Sequence, residues 1–372
     1  MSETGAHADP RDLESPRLLF LPRCGETGIG EYVRCLTLAR ALRARHEKAA
    51  IHFAVTPSLP RLAGDDFPRV ELARDAAQGE ALDAILARLR PHCLVTNNRG
   101  RQRELERARA RGAAVVAIFS TDRRSRARRL DVLRSVDQLW IVPGEGRDGA
   151  RLPSRLARWI AGNPRCEVVE TLHPPVDPAR AAKRCAHLGL EGERYALFAP
   201  GGGGWRLDGR PAADVFADAA ARVARAGTRS VLVAGPLHRG VREPQDAVLT
   251  LPEVEPDAMV DLVAGAEVVA CAGGGLLGWV QALGRPCVAT PMPCGDQRQR
   301  TAACREERTA LVVDGTADAL AEGARLLLCD AERRRALRER LAAVGPRNAL
   351  ARCVELLEQL LRARAEEREH TA

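Results

Sequence analysis

The chain has 372 residues, of which 45% are hydrophobic, 28% charged and 3% aromatic, and its net charge is +8. This balance excludes a disordered or fibrous chain, and the length predicts two domains with aliphatic cores, because single cores rarely exceed about 250 to 300 residues. The positive charge favours an anionic partner, whereas the scarcity of aromatic residues and the lack of zinc-ligand spacing argue against nucleic acid.

The eleven cysteines are scattered without a Cys-x-x-Cys pair, a pattern typical of reduced, buried thiols. The opening segment MSETGAHADPRDLESP is polar and acidic, unlike a secretion signal, and no apolar run approaches the ~20 residues that cross a bilayer. We therefore expect a cytoplasmic protein. Its basic segments 97–112 and 120–134 are either solvated helix faces or a peripheral contact with an anionic membrane.

From residue 17 onward, short apolar runs alternate with amphipathic segments. The runs RLLFL, AIHFAV, HCLVT, AVVAIFS and QLWIVP are predicted strands, and segments such as EYVRCLTLARALRAR and ELARDAAQGEALDAILARL are predicted helices. This alternation predicts βαβ units and a parallel sheet. We expect a flexible leader at 1–16 and a Rossmann-like, doubly wound domain at 17–175.

The prolines of TLHPPVDP interrupt this pattern, because proline lacks a backbone donor and restricts the residue before it. We expect a linker at 176–192, a second Rossmann-like domain at 193–345 and a C-terminal helix at 346–372. The predicted fold is thus α/β, with two doubly wound domains facing a cleft. Ligands of such sheets bind beyond the carboxyl ends of the strands, so the loops after the apolar runs are the candidate sites.

Three loops of the second half are candidates for ligand binding. The first is a run of four glycines after YALFA, the second a glycine turn before the helix LLGWVQALG, and the third a polar helix start. Glycines let backbone N–H groups approach a phosphate, and the polar groups of the third loop are of the kind that orient sugar hydroxyls. A flexible turn, a packing turn and a capped helix start are the structural alternatives. The residues are Gly201, Gly202, Gly203 and Gly204; Gly273, Gly274 and Gly275; and Asp296, Gln297 and Gln299.

The segment AGGGLLGWVQALGRPCVATPMPCGDQRQRTAA resembles the donor-binding segment of GT-B glycosyltransferases, particularly the family that adds N-acetylglucosamine to a lipid-linked peptidoglycan precursor. GIGEYVRCLTLARAL is similar to the first loop and helix of that superfamily, and closest to the UDP-sugar hydrolase of pseudaminic acid biosynthesis. The resemblance implies a UDP-sugar held mainly by the second domain, with the glycine loops at the diphosphate and Asp296 and Gln299 at the sugar. It implies neither a metal nor a further cofactor. The acceptor-side candidates are Gly28, Gly30, Arg34, Asn98, Asp122 and His173.

Two residues depart from the pattern of that superfamily. Trp279 stands where a glutamate usually binds the ribose hydroxyls, and Gln281, roughly 200° further around the helix, does not replace that glutamate. Glu31 stands where the catalytic histidine is usual. Glu31 is therefore a candidate base, although a carboxylate in the first helical turn is also favourable simply through the helix dipole. His173 and His238 are the other histidines considered for the missing role, each with an ordinary surface histidine as the alternative.

The resemblance implies an inverting glycosyltransferase that moves a sugar from a nucleotide-diphosphate donor to an unknown acceptor. Two alternatives stay open. A nucleotide-sugar hydrolase would use water as the acceptor, and a catalytically silent protein of the same fold would bind a sugar nucleotide or a glycan without turnover.

Overall fold

The computed structural model describes residues 15–22, 25, 27–72, 78–97, 102–120, 129–143, 152–240 and 248–371. The apolar runs of the first half form a parallel seven-stranded sheet in the order β3-β2-β1-β4-β5-β6-β7. Its strands are β1 Arg17–Pro22, β2 Ala50–Val55, β3 Arg69–Glu71, β4 Cys93–Asn97, β5 Ala114–Ser120, β6 Gln138–Val142 and β7 Arg165–Val168. The helices described in this half are α1 Gly30–Arg45, α2 Gln78–Leu89, α3 Gln102–Ala110, α4 Leu130–Arg134 and α5 Arg155–Ile160.

A second parallel sheet has six strands in the order β12-β11-β8-β13-β14-β15. Its strands are β8 Tyr195–Ala199, β11 Arg229–Val233, β12 Val248–Leu251, β13 Val268–Ala272, β14 Cys287–Thr290 and β15 Leu311–Val312, and a small antiparallel pair consists of β9 Arg206–Leu207 and β10 Arg210–Pro211. The helices from the crossover to the end of the described chain are α6 Pro178–His187, α7 Ala212–Arg225, α8 Pro256–Gly265, α9 Gly275–Ala282, α10 Gly295–Glu306, α11 Ala317–Cys329, α12 Ala331–Val344 and α13 Leu350–Thr371.

Both sheets are doubly wound, with a core on each face. In the first sheet, Leu18 and Phe20 point to one cluster of buried apolar side chains, whereas Leu19 and Leu21 point to the other. This division follows from the alternation of side chains along a strand, and burial on both faces explains why the strands are nearly continuous apolar runs. The fold class predicted from the sequence is therefore confirmed.

The topology places corresponding loops of the two halves at equivalent points. In each sheet the strand order reverses beside the first strand, at β1 and β4 in one half and at β8 and β13 in the other. A crevice forms at such a switch point, beyond the carboxyl ends of the strands. The loops after β1, β8 and β13 are those that the sequence analysis identified as candidates.

The chain crosses between the halves twice, and the two crossings lie side by side. Thr171 forms a parallel bridge with Asn348, and Asn348 Nδ2 donates a hydrogen bond of 2.8 Å to the backbone oxygen of His173. After the second crossing α13 returns to the first half, where Cys353 and Leu357 join the core beside α1. The helix α6 lies inside the segment 176–192 expected to be a linker, and it is tied to α8 by hydrogen bonds from Arg180 to Asp261. The domain boundaries themselves stay predictions.

One predicted element is wrong at its start. ELARDAAQGEALDAILARL was predicted as a helix from residue 71, but Glu71 ends the short strand β3, and α2 begins at Gln78. Strand β3 forms one edge of its sheet, where its side chains are only partly covered. An edge strand needs few apolar residues, so hydrophobic periodicity does not reveal it.

Candidate functional site

A cleft of about 940 Å³ is lined by residues of both halves. Most of the predicted site residues face it: Gly28, Gly30, Glu31, Arg34, Gly201, Gly202, Gly274, Gly275, Trp279, Asp296, Gln297 and Gln299. Gly203, Gly204, Gly273 and His173 are not among its lining residues. Asn98 and Asp122 lie outside the described residues.

On the first half, the cleft is bounded by the loop after β1 and the start of α1. Helix α1 begins at Gly30, and Glu31 lies half-buried in its first turn. The side chain of Asn97, fully buried at the end of β4, donates a hydrogen bond of 3.2 Å to the Glu31 backbone oxygen. This contact fixes the start of the helix against the sheet, so the Glu31 side chain is presented to the cleft from a rigid element.

Arg34 lies one turn after Glu31 and also lines the cleft. Its Nη1 donates a hydrogen bond of 3.1 Å to Asn97 Oδ1, so the buried amide holds both the helix start and this guanidinium. Burial lowers the pKa of Arg34; the negative charge of Glu31 opposes that effect, and the positive charge of Arg300 adds to it. The positive charges of Arg34 and Arg300 therefore repel each other across the cleft.

The run of four glycines after β8 is a close-packed turn. Gly201 and Gly203 have φ values of +88° and +83°, in the left-handed region that disfavours side chains. A Cβ on Gly203 would lie 2.7 Å from the backbone oxygen of Ala234, and one on Gly202 would lie 3.1 Å from Ile29 Cγ1. Gly201 and Gly202 thus face the cleft, and Gly202 also lies against the loop after β1 in the other half.

The second glycine turn leads directly into α9. A Cβ on Gly273 would lie 2.7 Å from Thr301 Cγ2, so this glycine is required for packing against α10. Gly274 is the N-cap of α9, and Gly275 is its first residue. The first N–H groups of a helix have no partner within the helix, and together with the helix dipole they favour an anion. The second half of the cleft therefore presents a helix N-terminus whose free N–H groups and dipole favour a negative charge.

The polar residues at the start of α10 differ in their surroundings. Gln297 is buried, and its Oε1 accepts a hydrogen bond of 3.2 Å from the backbone of Met292, so it supports the turn between β14 and α10. Asp296 accepts a 3.0 Å hydrogen bond from the Cys294 thiol, whose pKa burial raises to about 11. Gln299 is exposed on the cleft wall. Asp296 and Gln299 are thus the more accessible members of this group.

Trp279 is largely buried although it lines the cleft. Its side chain is 7% exposed, and its ring centre lies 6.2 Å from that of His173. The amide of Gln281 donates to Thr309 Oγ1 at 2.9 Å, inside the core of the second half. Gln281 also lines the cleft, and that it does not replace the missing glutamate stays a prediction.

The two histidines that could replace the missing base have largely buried side chains, so neither is the ordinary surface histidine expected as the alternative. His173 is buried at the crossover, where its Nδ1 lies 2.7 Å from the backbone oxygen of Pro174, and burial lowers its pKa. His238 lies on the loop after β11, with its Nε2 3.6 Å from Asp214. Neither lines the cleft. This placement favours Glu31 over both histidines as a group that meets a ligand.

Two residues important for the site were missed in the sequence. The sequence analysis predicts Asn98 and not Asn97, although Asn97 ends the strand β4, and ligand loops of a parallel sheet begin at strand ends. Arg300 lines the cleft, donates a hydrogen bond through Nη1 to the backbone oxygen of Gly273, and has Nη2 3.7 Å from Asp296 Oδ2. Its i,i+4 spacing from Asp296 on a predicted helix was the available signal.

The described residues contain neither a metal-binding cluster nor a membrane-spanning helix. No group of three or more histidine, cysteine, aspartate or glutamate side chains in the described ranges is placed to hold a metal ion. No helix of the described chain is long and apolar enough to cross a bilayer. Three arginines of the basic segment 97–112 pair with carboxylates: Arg107 and Arg111 with Asp83, and Arg109 with Asp137. Much of this basic segment is thus a charge-paired helix face.

Two doubly wound halves with a shared cleft at their switch points define the GT-B fold, and comparison with solved structures confirms it. The chain is similar to spinosyn forosaminyltransferase SpnP, with a TM-score of 0.60, 16% identity and coverage of 93% of this chain and 99% of that one. It is also similar to a UDP-glucosyltransferase from Polygonum tinctorium, with a TM-score of 0.61 and 13% identity over 93% of this chain and 98% of that one. For MurG from Acinetobacter baumannii the TM-score is 0.56 and the identity 14%, over 92% of this chain and 99% of that one. No family model and no curated protein matches the sequence.

Proposed function

We propose that this protein is a glycosyltransferase that uses a nucleotide-sugar donor, with UDP as the favoured nucleotide. The observation that carries the proposal is that one cleft joins the glycine-led N-terminus of α9 to the Glu31 carboxylate of the other half. A transferase needs these two features together: a site for an anionic leaving group and a group that activates the acceptor. The names of the structural neighbours, which include a UDP-glucosyltransferase, support the choice of donor.

The second half would hold the donor. Gly274 and Gly275 at the start of α9 would receive the diphosphate, while Asp296 and Gln299 would contact the sugar. As the bond between the anomeric carbon and the diphosphate oxygen breaks, negative charge grows on the leaving group, and the helix N-terminus stabilises it.

The first half would hold the acceptor. The acceptor hydroxyl oxygen attacks the anomeric carbon from the side opposite the diphosphate, its proton passes to the Glu31 carboxylate, and the configuration inverts. Glu31 suits this role because it faces the cleft from a helix start that Asn97 fixes. Fixed positions of donor and base provide much of the rate enhancement in such a reaction.

The test is a panel of nucleotide sugars and hydroxyl acceptors, with nucleotide release as the readout, for the wild type and Glu31→Gln. Loss of a general base typically lowers turnover by about 10²- to 10⁴-fold. We expect that loss for Glu31→Gln with UDP affinity unchanged. Glu47→Gln, at an exposed position after α1, is the matched control. Turnover unaffected by Glu31→Gln would eliminate Glu31 as the base.

The same assay separates the two alternatives. A hydrolase would release free sugar and UDP in buffer without any acceptor. A silent binding protein would be stabilised by UDP or a UDP-sugar without turnover in any combination, and Trp279 at the usual ribose-binding position is the observation that keeps this alternative open. Absence of nucleotide binding altogether would contradict the proposed function.

A further inference from the structure

Arg34 is a half-buried arginine on the wall of the cleft. Among the described residues, no carboxylate oxygen lies within 4.0 Å of its guanidinium, and its single hydrogen bond goes to the neutral amide of Asn97. Removing a charge from water is costly unless a partner compensates it. The structure therefore places on the wall of the cleft a cation on which the Glu31 charge acts but which has no close ion pair among the described residues.

Several other partly buried arginines of the described chain have a carboxylate partner. Arg69 lies 2.5 Å from Asp65, Arg180 lies 2.9 Å from Asp261, and Arg334 lies 2.7 Å from Glu267. In each pair the carboxylate compensates the charge of the guanidinium. Within the described part of the chain Arg34 has no such pair, although Asn97 fixes the direction of its guanidinium. A fixed guanidinium without a close ion pair is suited to bind an anion in a cleft, because its fork of donors matches a phosphate or a carboxylate.

A second cation reaches the same cleft from the opposite half. Arg300 is 18% exposed; its Nη1 is held by the Gly273 backbone oxygen, and its Nη2 is 3.7 Å from Asp296, longer than a close ion pair. Arg300 thereby links the glycine turn before α9 to the wall that faces Arg34. An anion between the two arginines would offset their mutual repulsion.

We propose that Arg34 and Arg300 together bind one oxyanionic group of a substrate, a phosphate or a carboxylate, between the two halves of the cleft. This inference rests on the proposed function, because it assumes that the cleft holds substrates. The oxyanion has two sources: the donor diphosphate, or an acidic group on the acceptor near the hydroxyl that reacts. Residues three apart on a helix lie about 5 to 6 Å apart at their Cβ atoms, so an acceptor anion on Arg34 would lie close to a hydroxyl at Glu31.

The experiment measures two affinities in the wild type, Arg34→Gln, Arg34→Lys and Arg300→Gln. UDP is titrated by calorimetry, and inorganic phosphate is titrated onto the UDP-saturated protein by thermal shift. Arg298→Gln is the matched control, because Arg298 is exposed on the same helix as Arg300 and does not line the cleft. Arg34→Lys retains the charge without the fork and guards against a variant that fails to fold.

If the oxyanion belongs to the donor, Arg34→Gln and Arg300→Gln should each weaken UDP binding by about 10- to 100-fold. If it belongs to the acceptor, UDP affinity should hold while phosphate binding to the UDP-saturated protein falls by a similar factor in both variants. Either result supports the inference when Arg298→Gln behaves like the wild type. Unchanged UDP and phosphate affinities in both folded variants would overturn it.

The outcomes also separate this inference from the proposed function. A wild type that binds phosphate but not UDP would contradict the nucleotide-sugar donor, yet loss of phosphate binding in Arg34→Gln and Arg300→Gln would still support the paired oxyanion site. A wild type that binds UDP with no dependence on either arginine would leave the proposed function standing and refute the inference.

Discussion

Replacing Gly274 with aspartate tests whether the N-terminus of α9 holds the donor diphosphate. Gly274 is the N-cap of α9 with a φ of −84°, so a side chain is allowed there. A Cβ at this position would lie 3.7 Å from Gln297 Nε2, an ordinary contact distance. Aspartate and asparagine are both favoured N-caps. We expect Gly274→Asp and Gly274→Asn to fold with at least the stability of the wild type.

The two variants differ in charge at nearly equal size. Two unit charges about 5 Å apart repel by about 3 kcal/mol at an effective dielectric constant of about 20. At 1.4 kcal/mol for each factor of ten, one such repulsion weakens binding by about 200-fold. Because a diphosphate carries more than one charge, this value is a lower bound for Gly274→Asp at low salt. Gly274→Asn should lose only what the added atoms displace.

The assay is calorimetric titration with UDP at low ionic strength, with thermal unfolding of each variant as the control for folding. The expected order of affinity is wild type, then Gly274→Asn, then Gly274→Asp, with the large step between the last two. Equal affinities of the Asp and Asn variants would refute the electrostatic argument. Wild-type affinity in both would show that the glycine turn is only structural.

Three further predictions concern stability and surface binding. The Tyr32 hydroxyl donates a hydrogen bond of 2.5 Å to Asp65 in the core. Tyr32→Phe should therefore lower the free energy of unfolding by about 1 to 3 kcal/mol in denaturant titration. An unchanged free energy would contradict a stabilising role of this hydrogen bond. Burial lowers the pKa of His173, so the stability that its neutral form contributes is present above about pH 6.5 and is lost as the pH falls further. The melting temperature of His173→Asn should accordingly fall less than that of the wild type between about pH 7.5 and pH 5.5, and identical profiles would refute this. Trp159 is 74% exposed on α5 beside Arg155 and Arg158, so vesicles with phosphatidylserine should bind the protein less as salt rises, and less after Trp159→Ala; salt-insensitive binding, or none, would remove the membrane contact.

The sequence predicted the central strands well because their burial is local information. Strands covered on both faces read as continuous apolar runs, as in AVVAIFS, where all seven residues of β5 are buried. The edge strands β3 and β7 are not predicted from the sequence, because they are short and rich in charged residues. These are Arg69 and Glu71 in β3 and Arg165 and Glu167 in β7. Edge strands are stabilised by one neighbour and tolerate charge, so their pairing depends on the sheet rather than on their own composition.

Site residues in loops that follow a strand could be predicted from the sequence, whereas residues whose role depends on tertiary contacts could not. The glycine turns could be located because parallel sheets place their ligand loops at the strand ends. The role of Asn97 could not be predicted from the sequence. Its amide donates a hydrogen bond to the backbone oxygen of Glu31, which lies 66 residues earlier in the chain. The return of α13 to the first half was likewise hidden, since the apolar stripe of a helix does not identify the surface that covers it.

Glu31 could be either a catalytic base or a carboxylate that only stabilises the start of α1. A carboxylate that served only the helix dipole would act equally well in full solvent, and its loss would cost about 0.3 to 1 kcal/mol of stability. Glu31 is instead half-buried on the wall of a cleft that also receives the N-terminus of α9. Glu31→Gln keeps the size and removes the charge, so unfolding and turnover measured on the same sample separate the roles. A base predicts a large loss of turnover with a small change in stability, and a change in stability alone would refute the catalytic role.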